Sequence, residues 1–208
     1  MDLPLKVHSH RRSGTHLLMA TLAANFELGD LSIEADVPGQ RWHATGESRA
    51  IVPWGRLFGD HEPFSPRADP GRMLYIVRDP RDTLRSLWQF ESPTTPLGDF
   101  LSVDRIRYWY RHSSEYCARV FWIRFEDLTG EGFAAIMGRI AARFELRRRL
   151  SEAGSGGQRS CFRRIEGPVG WSPGAGGVGS WAGWPAEWRE RFAAAIPDGF
   201  LGYRLRQR

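Results

Sequence analysis

The sequence predicts an α/β fold, a mainly parallel β-sheet with helices on both faces, in a single domain covering residues 1–208. Three observations carry this reading. A short apolar segment at 3–7 runs into a basic, glycine-containing turn and then into a pattern rich in helix formers at 16–26. The run MLYIV at 73–77 is continuously apolar, as expected for a central parallel strand, and again leads into a helix. A third strand pattern, VFWIRF at 120–125, precedes another helical stretch. Strands alternating with helices build a parallel sheet covered on both faces.

Each element has a local reason. HLLMATLAANF is apolar nearly all round, which predicts a buried helix. Asp79 is a suitable N-cap and Pro80 a favoured first helical residue, so a helix is predicted from Pro80 to about Phe90. Further helices are predicted over 101–118, 132–150 and 185–195. Residues 29–70 hold several glycines and prolines and read as loops with short elements. Glycine-rich stretches lie at 154–157 and 167–183. There is no internal repeat and no evident linker, hence the single domain.

Composition excludes some classes of function. With 208 residues, 41% hydrophobic and 12% aromatic, the chain has enough apolar material for a core. The net charge of +5, dominated by arginine, points to an anionic partner, since guanidinium binds oxyanions in bidentate fashion. Cys117 and Cys161 have no zinc-ligand spacing and give no disulfide framework. No apolar run approaches the roughly 20 residues needed to cross a bilayer. A soluble, cytoplasmic protein is expected, with no membrane partner.

Two segments suggest chemistry. The first, Arg11-Arg12-Ser13-Gly14-Thr15, lies between a strand and a helix. Successive N–H groups and a helix N-terminus there make a phosphate cradle. Gly14 permits close approach of the backbone, Ser13 and Thr15 offer hydroxyl donors, and Arg12 supplies charge. The GxxxxGK[ST] loop of kinases and ATPases is missing. The second segment, Arg78 to Ser86, leaves a strand at its C-terminal end, where open α/β sheets bind ligands. Arg78 and Ser86 can both face an anion held beside the first loop. Arg81 and Arg85 are expected on other faces of that helix.

In this order and separation the two segments resemble those of sulfotransferases that use 3′-phosphoadenosine-5′-phosphosulfate (PAPS). The first is similar to the PKSGTTW-type loop that holds the 5′-phosphosulfate. The second is similar to the element in which an Arg and a Ser eight positions later grip the 3′-phosphate. Phe125-Glu126-Asp127-Leu128 resembles the family's YEDL, and Gly176-Gly177-Val178-Gly179-Ser180-Trp181 resembles GxxGDW. Gly199 to Tyr203 (GFLGY) resembles a common family ending. The resemblance covers about residues 5–205.

The resemblance implies a P-loop-like parallel sheet, PAPS as cofactor with 3′-phosphoadenosine-5′-phosphate (PAP) as product, and no metal. It implies transfer of a sulfuryl group to a hydroxyl or amine of a small-molecule acceptor. Arg12 matches the catalytic lysine. His61, in Gly59-Asp60-His61-Glu62-Pro63, matches the family's base, with His43 as rival. Cofactor contacts fall on Arg11, Arg12, Ser13, Gly14, Thr15, His16, Arg78, Ser86, Gly176 and Gly179. Gly174 and Ala175 stand where the late motif has Arg-Lys, and Arg163 or Arg164 is assigned that charge. Leu17 replaces an adenine-stacking Trp, and Ser180 replaces an Asp. Trp54 is the preferred acceptor contact beside His61. The alternatives are a nucleotide-dependent kinase, in which Asp127 would hold magnesium, and a basic nucleic-acid-binding module. The arginines gather at strand–helix junctions rather than along a stripe, so no nucleic-acid partner is expected.

Overall fold

The computed structural model describes residues 5–27, 52–54, 57–61, 63–66, 69–149, 162, 164 and 178–205, with the backbone alone for 52–54 and 57–60. Strand β1 (Leu5–Ser9) occupies the centre of the sheet. Helix α1 (Thr15–Asn25) follows, then β2 (Val52–Trp54), β3 (Leu57–Asp60) and β4 (Met73–Val77). Helices α2 (Pro80–Glu91), α3 (Leu97–Phe100) and α4 (Val103–Cys117) lead to β5 (Phe121–Arg124). Helices α5 (Phe125–Thr129), α6 (Phe133–Phe144) and α7 (Ala186–Ala195) complete the order.

The five strands lie in the order β2-β3-β1-β4-β5. The ladders β1·β3, β1·β4 and β4·β5 are parallel, and only β2·β3 is antiparallel. The chain leaves β1 toward β3 on one side and returns through β4 on the other. The carboxyl ends of β1 and β4 therefore flank a topological switch point, where sheets of this class bind ligands.

Two apolar clusters show why helices cover both faces. Leu74 and Ile76 of β4 pack with Val7, Ile123, α1 and α6. Met73, Tyr75 and Val77 pack on the opposite face with α2, α4 and α7. All five residues of β4 are buried, which explains the unbroken apolar run. Fully burying a side chain such as Leu18 or Leu22 is worth about 1.5–3 kcal/mol relative to exposure. Among the described residues no helix is long and apolar enough to cross a membrane.

Boundaries depart from expectation at one informative place. α6 stops at Phe144 instead of continuing to residue 150, because Glu145 turns left-handed (φ 54°). Arg147 and Arg149 then pair through their backbones with Glu27 and Asn25, completing the end of α1. The arginine run is thus spent on joining two elements, with the Arg148 guanidinium over the Phe162 ring.

The turn from β1 into α1 is tightly determined. Arg12 and Gly14 both have positive φ, 68° and 102°. A Cβ on Gly14 would lie 2.4 Å from Phe125 Cδ2. Gly14→Ala should therefore destabilise the protein by about 2–4 kcal/mol, combining a left-handed backbone with an overpacked contact. Urea unfolding measures this; a near-neutral Gly14→Ala would contradict the packing described.

Candidate functional site

The two predicted basic segments meet at the switch point. Arg12 Nε donates to Ser86 Oγ at 3.2 Å, and the Arg12 guanidinium lies 5.0 Å from the Phe90 ring centre. Ser86 and Phe90 are one turn apart, so Arg12 lies along one stripe of α2. Arg78 is 3% exposed and reaches the Arg12 carbonyl at 3.4 Å. Burial lowers the Arg78 guanidinium from its usual value, opposed by Asp82, Glu126 and Asp79. Burial also lowers Arg12, and the charges of Arg78 and Arg11 lower it further, with Glu91 opposing. Two guanidiniums are thus packed against their mutual repulsion. In the same turn Ser13 Oγ is buried with no hydrogen-bond partner among the described residues. Such groups fit an anion.

The later segments assemble around this pair. Phe125, first residue of α5, lies against the Gly14 backbone and carries Arg78 over its ring at 4.6 Å. Glu126 accepts from the Asp79 N–H at 3.0 Å and from the Tyr203 hydroxyl at 2.9 Å. Burial raises this carboxyl above its ordinary range. Asp82 accepts from the Gly179 and Ser180 N–H groups at 2.8 and 2.9 Å and from Ser180 Oγ at 2.6 Å. The Gly179–Trp181 stretch is thereby fixed onto α2. Arg85 donates to the Ser180 carbonyl on the same contact.

Arg81 is 3% exposed and makes a bidentate pair with Asp79 at 2.9 and 2.6 Å. Trp181 lies 3.2 Å from its guanidinium carbon, measured to the ring centre. The reason is local: Asp79 caps the helix and its second oxygen is then aimed along the first turn.

His61 follows β3 directly and lies against the end of β1. Its Nδ1 is 2.9 Å from the Ser9 carbonyl and 3.0 Å from Ser9 Oγ, which in turn contacts Thr15 Oγ1. Beneath it lies a polar aromatic cluster. The Tyr75 hydroxyl accepts from the His10 N–H at 3.2 Å and lies 3.0 and 3.1 Å from His112 Nδ1 and Ser113 Oγ. His8 Nδ1 lies 3.0 Å from the Tyr116 hydroxyl. Burial, His112, His61 and Arg11 lower His10 to about 3, against the hydrogen bond it gives the Arg11 carbonyl. His16 is lowered to about 4 by burial and by Arg12.

Arg11 pairs with Glu91 at the end of α2. Arg164 donates to the Gly130 carbonyl and lies over Phe133. Gly176, Arg163, His43 and Cys161 fall outside the described residues, and Trp54 is described by its backbone alone. Asp127, the magnesium ligand of the kinase alternative, is held by Arg124 at 2.8 and 3.2 Å. Trp109 is core. Glu126, Asp82, Tyr203 and Ser9 were not singled out from the sequence. Glu126, Tyr203 and Asp82 stood inside recognised segments, whereas nothing marked Ser9.

The fold has solved counterparts. The crystal structure of mouse sulfotransferase SULT7A1 complexed with PAP matches with a TM-score of 0.50 at 19% identity, covering 73% of this chain and 60% of that one. The chain has the sulfotransferase fold. A structure of retinol dehydratase with androsterone and the inactive cofactor PAP also aligns, with a TM-score of 0.41 and 18% identity over 68% of this chain and 58% of that one. No family model and no curated protein sequence matches the chain. The sulfotransferase fold thus extends here to a chain that spans 60% of the mouse structure's length.

The lowered histidines set a pH dependence with a definite sign. Unfolded, each binds a proton near 6.5; folded, His10 holds out to about 3 and His16 to about 4. The unfolded state therefore binds more protons in this window, and their contribution to stability is complete above pH 6.5 and lost progressively below it. Thermal unfolding should show Tm falling between pH 6.5 and 4, with a shallower fall in His10→Gln. Parallel curves would contradict a neutral buried His10.

Proposed function

We propose that the protein is a PAPS-dependent sulfotransferase acting on a hydroxyl, or an amine, of a small-molecule acceptor. The observation that carries this reading is the Arg12–Arg78 pair, held together around the positive-φ turn at the switch point with Ser86 and the buried Ser13 hydroxyl. Two guanidiniums on two separate strand ends suit a ligand with two phosphate groups better than one with a single phosphate. The turn and Arg12 would hold the 5′ side, and Arg78 with Ser86 the 3′-phosphate. Gly179, fixed on α2 by Asp82, would close the same side.

Bound PAPS supplies an activated sulfuryl group whose departure needs no redox chemistry. Arg12 offsets the negative charge that grows on the leaving phosphate, and since guanidinium keeps its proton this role is electrostatic. His61 takes the proton from the acceptor. Its ring is oriented by the Ser9 carbonyl, which can only accept and so places the hydrogen on Nδ1 and the basic lone pair on Nε2. The remaining contribution is alignment of two reactants across a fixed crevice.

Mass spectrometry of reactions containing PAPS and a panel of phenols, sugars and amines tests the activity. With an acceptor in hand, His61→Ala should lower kcat by about 10²–10⁴ while PAP affinity stays within about threefold of wild type. Arg12→Ala should damage both binding and turnover. Wild-type turnover in His61→Ala would place the base elsewhere.

A further inference from the structure

Ser9, the last residue of β1, is fully buried and touches both halves of the site. Its hydroxyl contacts Thr15 Oγ1 on one side and lies 3.0 Å from His61 Nδ1 on the other. The directions of these hydrogen bonds can be worked out. His61 Nδ1 also faces the Ser9 carbonyl at 2.9 Å, and a carbonyl has no proton to give. Nδ1 therefore carries the hydrogen and shares it between the carbonyl and Ser9 Oγ. Ser9 Oγ is an acceptor toward His61, and its single proton is available to Thr15 Oγ1, a contact in which either hydroxyl can be the donor. Thr15 is the first residue of α1, beside the anion turn.

We propose that Ser9 is a positioning residue that joins the base and the anion loop through one directional chain: His61 Nδ1–H to Ser9 Oγ, Ser9 O–H to Thr15 Oγ1, and Thr15 O–H to the bound anion. This rests on the sulfotransferase reading for the roles of His61 and the loop. Because Nδ1 carries hydrogen in both the neutral and the protonated ring, proton uptake at Nε2 leaves the chain's direction unchanged. The base can cycle without disturbing the hydroxyl that holds the anion. The chain also explains why a polar residue is buried at the end of a central strand, where an apolar one would pack equally well.

Two measurements test this, neither needing the acceptor. Long-range ¹H–¹⁵N spectra of histidine-labelled protein should show neutral His61 as the Nδ1–H tautomer; the Nε2–H tautomer would overturn the chain. Calorimetric titration with PAP should show Ser9→Ala weakened about three- to tenfold, the range of one neutral hydrogen bond. Thr15→Val should lose a similar factor, the double variant no more than Thr15→Val alone, and Thr15→Ser should bind nearly as wild type. Losses that multiply in full, or unchanged affinity in Ser9→Ala, would overturn the proposal. If wild-type protein does not bind PAP, the sulfotransferase reading falls. The spectrum then still decides the direction of the chain, and the same variant cycle is run with pyrophosphate.

Discussion

Phe125 fixes the distance between the two cationic elements on which the site depends. Its ring meets the bare backbone of Gly14 at one edge and supports the Arg78 guanidinium on its face. A side chain on Gly14 would push the turn away from the ring, and a smaller residue at 125 would let Arg78 sink. The β1 turn, the end of β4 and the start of α5 are therefore one packed unit. Strand order brings these ends together, and the phenyl ring sets their spacing.

Charge is distributed unevenly around this unit. Arg81 is neutralised by Asp79, and Arg78 is offset by Asp82, Glu126 and Asp79, although burial still opposes its charge. Arg12 is repelled by Arg78 and Arg11, and among the described residues Glu91 opposes that. The acidic groups also have structural work: Asp79 caps α2, Asp82 holds Gly179 and Ser180, and Glu126 joins the Asp79 backbone to Tyr203. These carboxylates thus face the surrounding elements. In the proposed function, an anion at the turn would relieve a repulsion that folding has already imposed.

Much of this was legible in the sequence because it depends on local chemistry. MLYIV has the unbroken apolar pattern of a strand buried on both faces, and Asp79-Pro80 marks a helix start by capping and fixed φ alone. The basic turn was legible because glycine, hydroxyls and arginine lie together between a strand and a helix. The inward pairing of Arg81 was not legible, since helical spacing places a side chain on a face without saying that an N-cap carboxylate will capture it. Glu126 lay within a recognised segment, but its partners are 47 and 77 residues away, beyond any local pattern. Ser9 was hidden for the same reason: its meaning comes from register, which sets the end of β1 beside the residue after β3.

The proposed function requires two separate phosphate groups to be held, one at the β1 turn and one at Arg78 and Ser86. Isothermal titration calorimetry of PAP and AMP against wild type and Arg78→Ala tests it most directly. PAP should bind about ten- to a hundredfold more tightly than AMP, the value of a charge-assisted phosphate contact, and Arg78→Ala should remove most of this advantage while leaving AMP little changed. Equal affinities of PAP and AMP for the wild-type protein would contradict the two-phosphate site.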